Sequence, residues 1–394
     1  MSTRSAQPGN TRLGVNTQLA HGPFDPSTQH GFVNPAVVHG STVLFPTAKE
    51  LKNRAKAPFS YALSGTPTTK VLEDALSELE GAAGTILVPS GLAAVTVPLL
   101  AFLSAGDHCL VVDSVYFPTR RFCDGTLRRM GVDVEYYDPH IGADIAGLMR
   151  PETKVVFLEA PGSNTFEIMD VAAVCEAAHA GGAVTMLDNT WATPLFFRPL
   201  EHGVDLSIHA LTKYPGGHSD LMMGSVSANA ATLAQLRDTQ MQLGVNGAPD
   251  DTYLVLRGLK TMGVRLDRHQ ASALALAQWL ESRDDVLEVL HPALPSFPDH
   301  ALWQRQFSGA SGLFGFVLDG DADAAERFLD ALRVFGLGYS WGGHESLAVP
   351  ASLGDRTIAK GPAAGSLIRL QIGLEDVADL QADMEAGFAA VHGR

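Results

Sequence analysis

The apolar positions of this chain change their spacing along its length. Up to about residue 60 they keep no sustained period, and Pro8, Pro23, Pro26, Pro35 and Pro46 interrupt any long element. Such a stretch predicts an arm that lies against its own core or another subunit. From about residue 66 a helical period sets in. Val71, Leu72, Leu76 and Leu79 share one side and predict a helix over 68–79. Short apolar runs follow at 85–88, 108–112, 132–136, 154–158, 183–187 and 206–208, each predicting a strand. Helical stretches at 93–103, 119–130 and 171–180 lie between them. Strand and helix in alternation predict a mostly parallel sheet covered on both faces.

A sparser pattern begins near residue 260. An amphipathic helix is predicted over 269–282, strands over 286–290, 313–318 and 368–372, and helices over 322–334 and 377–391. The expected division is an arm over 1–64, a large α/β domain over 65–259 and a smaller α+β domain over 260–394.

Bulk properties narrow the function classes. The chain has 394 residues, 46% of them hydrophobic and 18% charged, as in a globular protein. An excess of 43 acidic over 28 basic residues gives a net charge of −15, which argues against nucleic acid and anionic membranes as partners. No apolar run reaches membrane-spanning length, and residues 1–17 have no apolar core of the kind a signal peptide needs. Cys109, Cys123 and Cys175 are scattered without C-x-x-C spacing, which fits a reducing cytoplasm.

Four places carry chemistry. The apolar run 204–211 delivers Lys213 into the glycine- and hydroxyl-rich segment Thr212-Lys213-Tyr214-Pro215-Gly216-Gly217. An ammonium beside an apolar strand loses hydration and drops its pKa, as an imine-forming lysine requires; a solvated surface lysine fits the same pattern. Ser90-Gly91-Leu92 follows a strand and opens a helix, so its N–H groups could face a phosphate or merely form a turn. Asp188 ends a buried strand, where ligands bind in open α/β sheets, and a turn or helix-capping role fits it equally. Arg369, flanked by apolar strand residues, needs a partner such as a carboxylate, from a substrate or from a structural ion pair. His202, His209 and His218 match no compact metal-ligand spacing, and no G-x-S-x-G motif is present.

The order of these parts is more specific than any one of them. Tyr61 with Gly65-Thr66, Gly91-Leu92, Tyr116, Asp188, Thr212-Lys213-Tyr214 and Arg369 fall in sequence on motifs of a known family. From about residue 12 to the C-terminus the chain resembles the pyridoxal-phosphate enzymes of cystathionine and methionine metabolism. That resemblance implies the fold type I, aspartate-aminotransferase-like architecture, with a mostly parallel seven-stranded sheet and a smaller C-terminal α+β domain. It implies pyridoxal 5'-phosphate as cofactor, bonded to Lys213, with Asp188 on the pyridine nitrogen and Tyr116 stacked on the ring. Gly91, Leu92 and Thr212 would grip the phosphate, and Tyr61 would reach cofactor and substrate. Arg369 would clamp the substrate carboxylate, while Ser340 and Trp341 would border the substrate side.

Within the family, Tyr339-Ser340-Trp341-Gly342-Gly343-His344-Glu345, Pro161-Gly162-Ser163 and His218-Ser219-Asp220 resemble cystathionine β-lyases most. The implied reaction cleaves L-cystathionine to homocysteine, pyruvate and ammonia. The rivals are γ-elimination or γ-synthase chemistry, cysteine desulfhydration, and a regulatory protein that keeps the fold without turnover. Family members place the arm and the Tyr61 region at a neighbour's active site, so an obligate dimer, paired into a homotetramer, is expected. One position departs from the family: Leu63 stands where an arginine commonly reaches the phosphate.

Overall fold

A computed structural model describes residues 13–393 of the chain. Seven strands form the main sheet: β1 (Gly84–Val88), β2 (His108–Val112), β3 (Asp133–Tyr137), β4 (Thr153–Glu159), β5 (Val184–Asp188), β6 (Leu206–His209) and β7 (Gly224–Ala228). Their spatial order is β1-β7-β6-β5-β4-β2-β3. From β6 through β3 the pairs are parallel, and β7 runs antiparallel to both of its neighbours. Helices cover the sheet, including Pro67–Glu80, Gly91–Phe102 and Val171–Ala180. β1, β2, β4 and β5 bury most of their side chains on both faces, which is why they read as largely apolar runs.

β7 escaped the sequence pattern for a physical reason. Its Gly-Ser-Val-Ser-Ala composition has little apolar surface, and Ser227 is buried by a 2.8 Å hydrogen bond to Thr85 of β1. Polar residues can sit in a core strand when each finds a partner across the sheet. The helix expected over 119–130 is divided into an α-helix, Phe117–Phe122, and a π-helical turn, Cys123–Leu127.

The C-terminal region carries a second sheet of four antiparallel strands, β8 (Val286–Leu290), β9 (Leu313–Leu318), β10 (Leu347–Pro350) and β11 (Ser366–Gln371), in the order β10-β11-β9-β8. β10 was not apparent in the sequence. Helices Ala322–Ala331 and Val377–Val391 pack on this sheet around Phe316, Phe328 and Phe388.

One helix joins the two regions. Pro249–Glu281 runs unbroken through 33 residues, where only its second half, 269–282, was expected. It crosses the domain boundary expected between 259 and 260. Val255, Leu259, Met262 and Leu266 pack with Leu72, Leu76 and Tyr214, whereas Ala273, Leu276 and Leu280 pack beneath the small sheet. The change of partners therefore falls between 266 and 273. Gly258 lets this helix touch the turn that follows Lys213: a Cβ there would lie 2.1 Å from the Pro215 carbonyl oxygen.

In the arm, the helix Val15–His21 docks on the long helix through Leu19. Phe32, Val33 and Leu44 stay exposed. No helix among the described residues is long and apolar enough to cross a membrane.

Candidate active site

The C-terminal ends of β4 and β5, the N-terminus of Gly91–Phe102 and the loop after β6 surround one cleft of about 310 Å³. This is where open α/β sheets bind ligands. Gly91, Leu92, Tyr116, Asp188, Thr212, Lys213, Ser340, Trp341 and Arg369 all line it, brought together from positions nearly 280 residues apart. Tyr61 does not: it lies outside the cleft of its own chain, with its side chain exposed.

Lys213 sits in a tight turn after β6. Its amide donates to the Ala210 carbonyl at 3.0 Å, and the Lys213 carbonyl accepts from Gly217 at 2.7 Å. The Lys213 Nζ donates to Ser340 Oγ at 2.5 Å and lies 5.2 Å from the centre of the Trp341 ring. Burial pushes the ammonium down to about 8, Arg369 adds to the fall, and Asp188 opposes it. The loop from the small domain is pressed against the lysine backbone. Gly342 has φ +83°, and a Cβ on it would lie 3.0 Å from the Lys213 carbonyl carbon. Ser340 itself occupies the left-handed region at φ +87°, a strained conformation for a residue with a side chain.

Asp188 ends β5 between Glu159 of β4 and Ile208 of β6. Its Oδ1 accepts from the Thr190 amide at 3.0 Å and the Thr190 hydroxyl at 2.5 Å, and among the described residues nothing donates to Oδ2. Burial raises the carboxyl, while the Thr190 bonds and Lys213 counter it. Asp188 therefore presents one unpaired oxygen to the cleft.

Glu159 is a site residue the sequence analysis missed. It lines the cleft, and its Oε2 accepts the Tyr116 amide at 2.8 Å. Burial, then Asp188 beside it, holds its carboxyl well above the usual range. The two carboxyls sit at neighbouring strand ends, so ionisation of Asp188 disfavours that of Glu159. The signal was available: Glu159 ends β4 as Asp188 ends β5.

The anion side of the cleft is built from backbone. Ser90 caps the helix, accepting the Ala93 amide at 3.1 Å, and leaves the Gly91 and Leu92 amides at its first turn. A Cβ on Gly91 would lie 2.5 Å from the Ala210 Cβ, so only glycine allows the helix end to close on the loop before Lys213. The Thr212 hydroxyl spends its proton on the Met223 carbonyl, at 3.2 Å, and accepts the Met223 amide at 3.1 Å. It braces the loop while bordering the cleft.

Arg369 of β11 is opposite Gly315 and Val349 in register and donates to the Ser340 carbonyl at 3.3 Å. Burial lowers its pKa, and Tyr116 and Tyr339 oppose that. No carboxylate neutralises it within the described residues, which leaves a guanidinium free to clamp one. Tyr116 is lifted above its usual pKa by burial and then by Asp188 and Glu159. No cluster of metal-ligating side chains among the described residues could hold a metal ion, and His202 instead stacks on Phe197.

A helix N-terminus for a phosphate, an unpaired aspartate oxygen, a buried lysine and an unpaired arginine together fit a phosphorylated pyridine aldehyde and an amino acid. Comparison with known proteins agrees. The family model for Cys/Met metabolism PLP-dependent enzymes matches residues 16–389. A Rhizobium johnstonii protein, provisionally named a cystathionine beta-lyase, is 63% identical over 96% of each chain. The cystathionine beta-lyase of Escherichia coli is 42% identical over 96% of this chain and 98% of its own. Among solved structures, cystathionine gamma synthase from Xanthomonas oryzae superposes with a TM-score of 0.91 at 34% identity, covering 97% of this chain and all of its own. Gly91, Asp188, Lys213 and Arg369 thus meet within a chain that belongs to the Cys/Met metabolism family of pyridoxal-phosphate-dependent enzymes.

Proposed function

We propose that the protein is a carbon–sulfur lyase that cleaves L-cystathionine by β-elimination and, with one water, yields homocysteine, pyruvate and ammonia. The observation that carries this reading is the convergence of Lys213, Asp188 and Arg369 on one buried cleft. Pyridoxal phosphate, when bound, supplies an electron-withdrawing ring that stabilises negative charge at the substrate Cα. Lys213 would bond to its aldehyde, Asp188 would keep the pyridine nitrogen protonated, and Tyr116 would lie against the ring. The Gly91 and Leu92 amides would hold the phosphate, with Thr212 at its edge.

The chain's own groups then divide the remaining work. Arg369 fixes the substrate carboxylate and so the direction of the Cα–H bond. Lys213 Nζ, once free of the cofactor and substantially neutral near pH 8, would remove the Cα proton and return one to the departing sulfur. Ser340 Oγ, 2.5 Å from Nζ, keeps the amine aimed into the cleft between these transfers. Trp341, with its ring centre 5.2 Å from that amine, narrows the substrate side. The relatives named as cystathionine β-lyases support this substrate.

The γ-type relatives provide a second reading, favoured by the close superposition on a γ-synthase. Product analysis with cystathionine separates the two. Pyruvate and homocysteine support β-elimination, and 2-oxobutyrate with cysteine refutes it.

The protein acts in the cytoplasm as a homotetramer built from two dimers, serving methionine biosynthesis and transsulfuration. Its exposed arm residues Phe32, Val33 and Leu44 support burial against a second copy. Tyr61, outside its own cleft, completes the cofactor and substrate site of that copy. The large and small domains, expected over 65–259 and 260–394, are joined by the helix Pro249–Glu281, whose packing partners change between residues 266 and 273.

A further inference from the structure

The connection between β10 and β11, residues 351–365, is far longer than a hairpin needs. It leaves the small sheet and is tied to the large domain at two places. The Asp113 carboxylate, buried just beyond β2, accepts the amides of Thr357 (3.1 Å to each oxygen), Ile358 (2.8 Å) and Ala359 (2.7 Å), together with the Thr357 hydroxyl at 2.9 Å. Arg120 donates to the same carboxylate at 2.5 Å. Arg356 donates to Glu167 Oε1 at 2.8 Å and to the Ser163 carbonyl. A loop with no regular structure of its own is thereby fixed before any ligand arrives, which lowers the ordering cost of binding.

Beneath this loop lies a groove of about 590 Å³. It shares Tyr116, Ser163, Asn164, Tyr339 and Arg369 with the Lys213 cleft, so the two spaces lie side by side on a common wall. A substrate whose carboxylate is on Arg369 and whose Cα faces Lys213 has filled the cleft with its reacting half. The part of the molecule beyond the sulfur then has the adjoining groove within reach past that common wall.

The groove offers what that part needs. Phe117, Pro118 and Leu353 present apolar surface for methylene groups. Asp355 brings a carboxylate whose side chain keeps 24% of its exposure, and its ion partner Arg120 is 3.5 Å away, beyond hydrogen-bond length. Arg120 already spends its Nη2 on Asp113. Asp355 accepts no hydrogen bond among the described residues, so its carboxylate is available to an ammonium in the groove.

We propose that this groove is the subsite for the leaving half of the thioether, and that Asp355 receives the ammonium of that half. The assignment rests on the β-elimination reading above. It makes Asp355 a specificity residue and Asp113 a positioning residue that holds it in place.

The test compares two substrates in the cofactor-loaded enzyme. Cystathionine carries the distal ammonium, and S-methylcysteine has the same reacting half without it. In Asp355→Asn, kcat/KM for cystathionine is expected to fall about tenfold further than for S-methylcysteine, through KM. Cofactor absorbance and melting temperature verify that the variant is folded. If Asp355→Asn destabilises the protein, Asp355→Glu is measured instead, with partial retention of the cystathionine preference expected. An equal fall on both substrates, or no fall with cystathionine, overturns the subsite. A wild-type enzyme that cleaves S-methylcysteine but not cystathionine also overturns it and leaves β-elimination standing. One that cleaves neither overturns the underlying reading and the subsite with it.

Discussion

Gly91→Ala adds a single methyl group at the point where the helix end meets the lysine loop. The new Cβ would lie 2.5 Å from the Ala210 Cβ and 3.2 Å from the Ala210 Cα. Apolar carbons settle at ~3.5–4.0 Å, so the contact must open by roughly 1 Å. Ala210 cannot yield easily, because its amide is held by Thr190 Oγ1 at 3.0 Å and its carbonyl by the Lys213 amide at 3.0 Å. The helix end moves instead, carrying the Gly91 and Leu92 amides with it. A displacement of ~1 Å takes a hydrogen bond of ~2.9 Å beyond its useful length. Losing one such bond to a charged phosphate costs ~1.5–3 kcal/mol, which raises the cofactor dissociation constant by roughly 10- to 150-fold. Overpacking also lowers the melting stability of the cofactor-free protein by ~1–3 kcal/mol. Titration of that protein with pyridoxal phosphate, followed by absorbance, measures the first quantity, and thermal unfolding measures the second. A dissociation constant within about twofold of wild type would refute the phosphate-cradle assignment.

Three further outcomes follow from the same geometry. An ordinary lysine of pKa 10.5 is about 0.3% neutral at pH 8, whereas one of pKa about 8 is about half neutral. Amine labelling of Lys213 in the cofactor-free protein is therefore expected to titrate with a midpoint near 8, and a midpoint near 10.5 contradicts the buried-amine assignment. Asp188→Asn, which removes the negative partner of the pyridine nitrogen, is expected to lower kcat by ~10²–10³ while Lys213 still bonds the cofactor. Unchanged turnover would exclude that role. Asp113→Asn cannot accept all the amides of 357–359 and is expected to cost ~2–4 kcal/mol in unfolding free energy at pH 7. Burial raises this carboxyl, but the Ile358, Ala359 and Thr357 amides and Arg120 outweigh it and leave the pKa below 3.8. The contribution is thus complete above 3.8 and lost as pH falls below it, so the gap to wild type should close in acid. A gap that persists there would mean the clamp does not depend on the ionised form.

The parallel sheet was legible because its strands are buried on both faces and so cannot carry polar residues without partners. β7 was illegible for the converse reason: Ser225 and Ser227 are buried in it, and the Ser227 hydroxyl is satisfied by Thr85, 142 residues away. The first half of Pro249–Glu281 was hidden by Gly258 and Gly263, which lower helix propensity locally but permit close approach to Pro215 and to Asn16. Lys213, Asp188 and Arg369 were legible only by their order, since each alone suits a bland structural role. Glu159 was missed although it obeys the rule that singled out Asp188. The clamp of Asp113 on 357–359 had no local signal, because its partners lie some 245 residues away and donate backbone amides that every sequence has.

The most direct test is reduction of the cofactor-loaded protein with borohydride, followed by peptide mass mapping. The structure predicts one cofactor-derived mass increment per chain, on the peptide that contains Lys213, and none in Lys213→Ala. An increment on another lysine, or its survival in Lys213→Ala, would contradict the placement of the chemistry in this cleft.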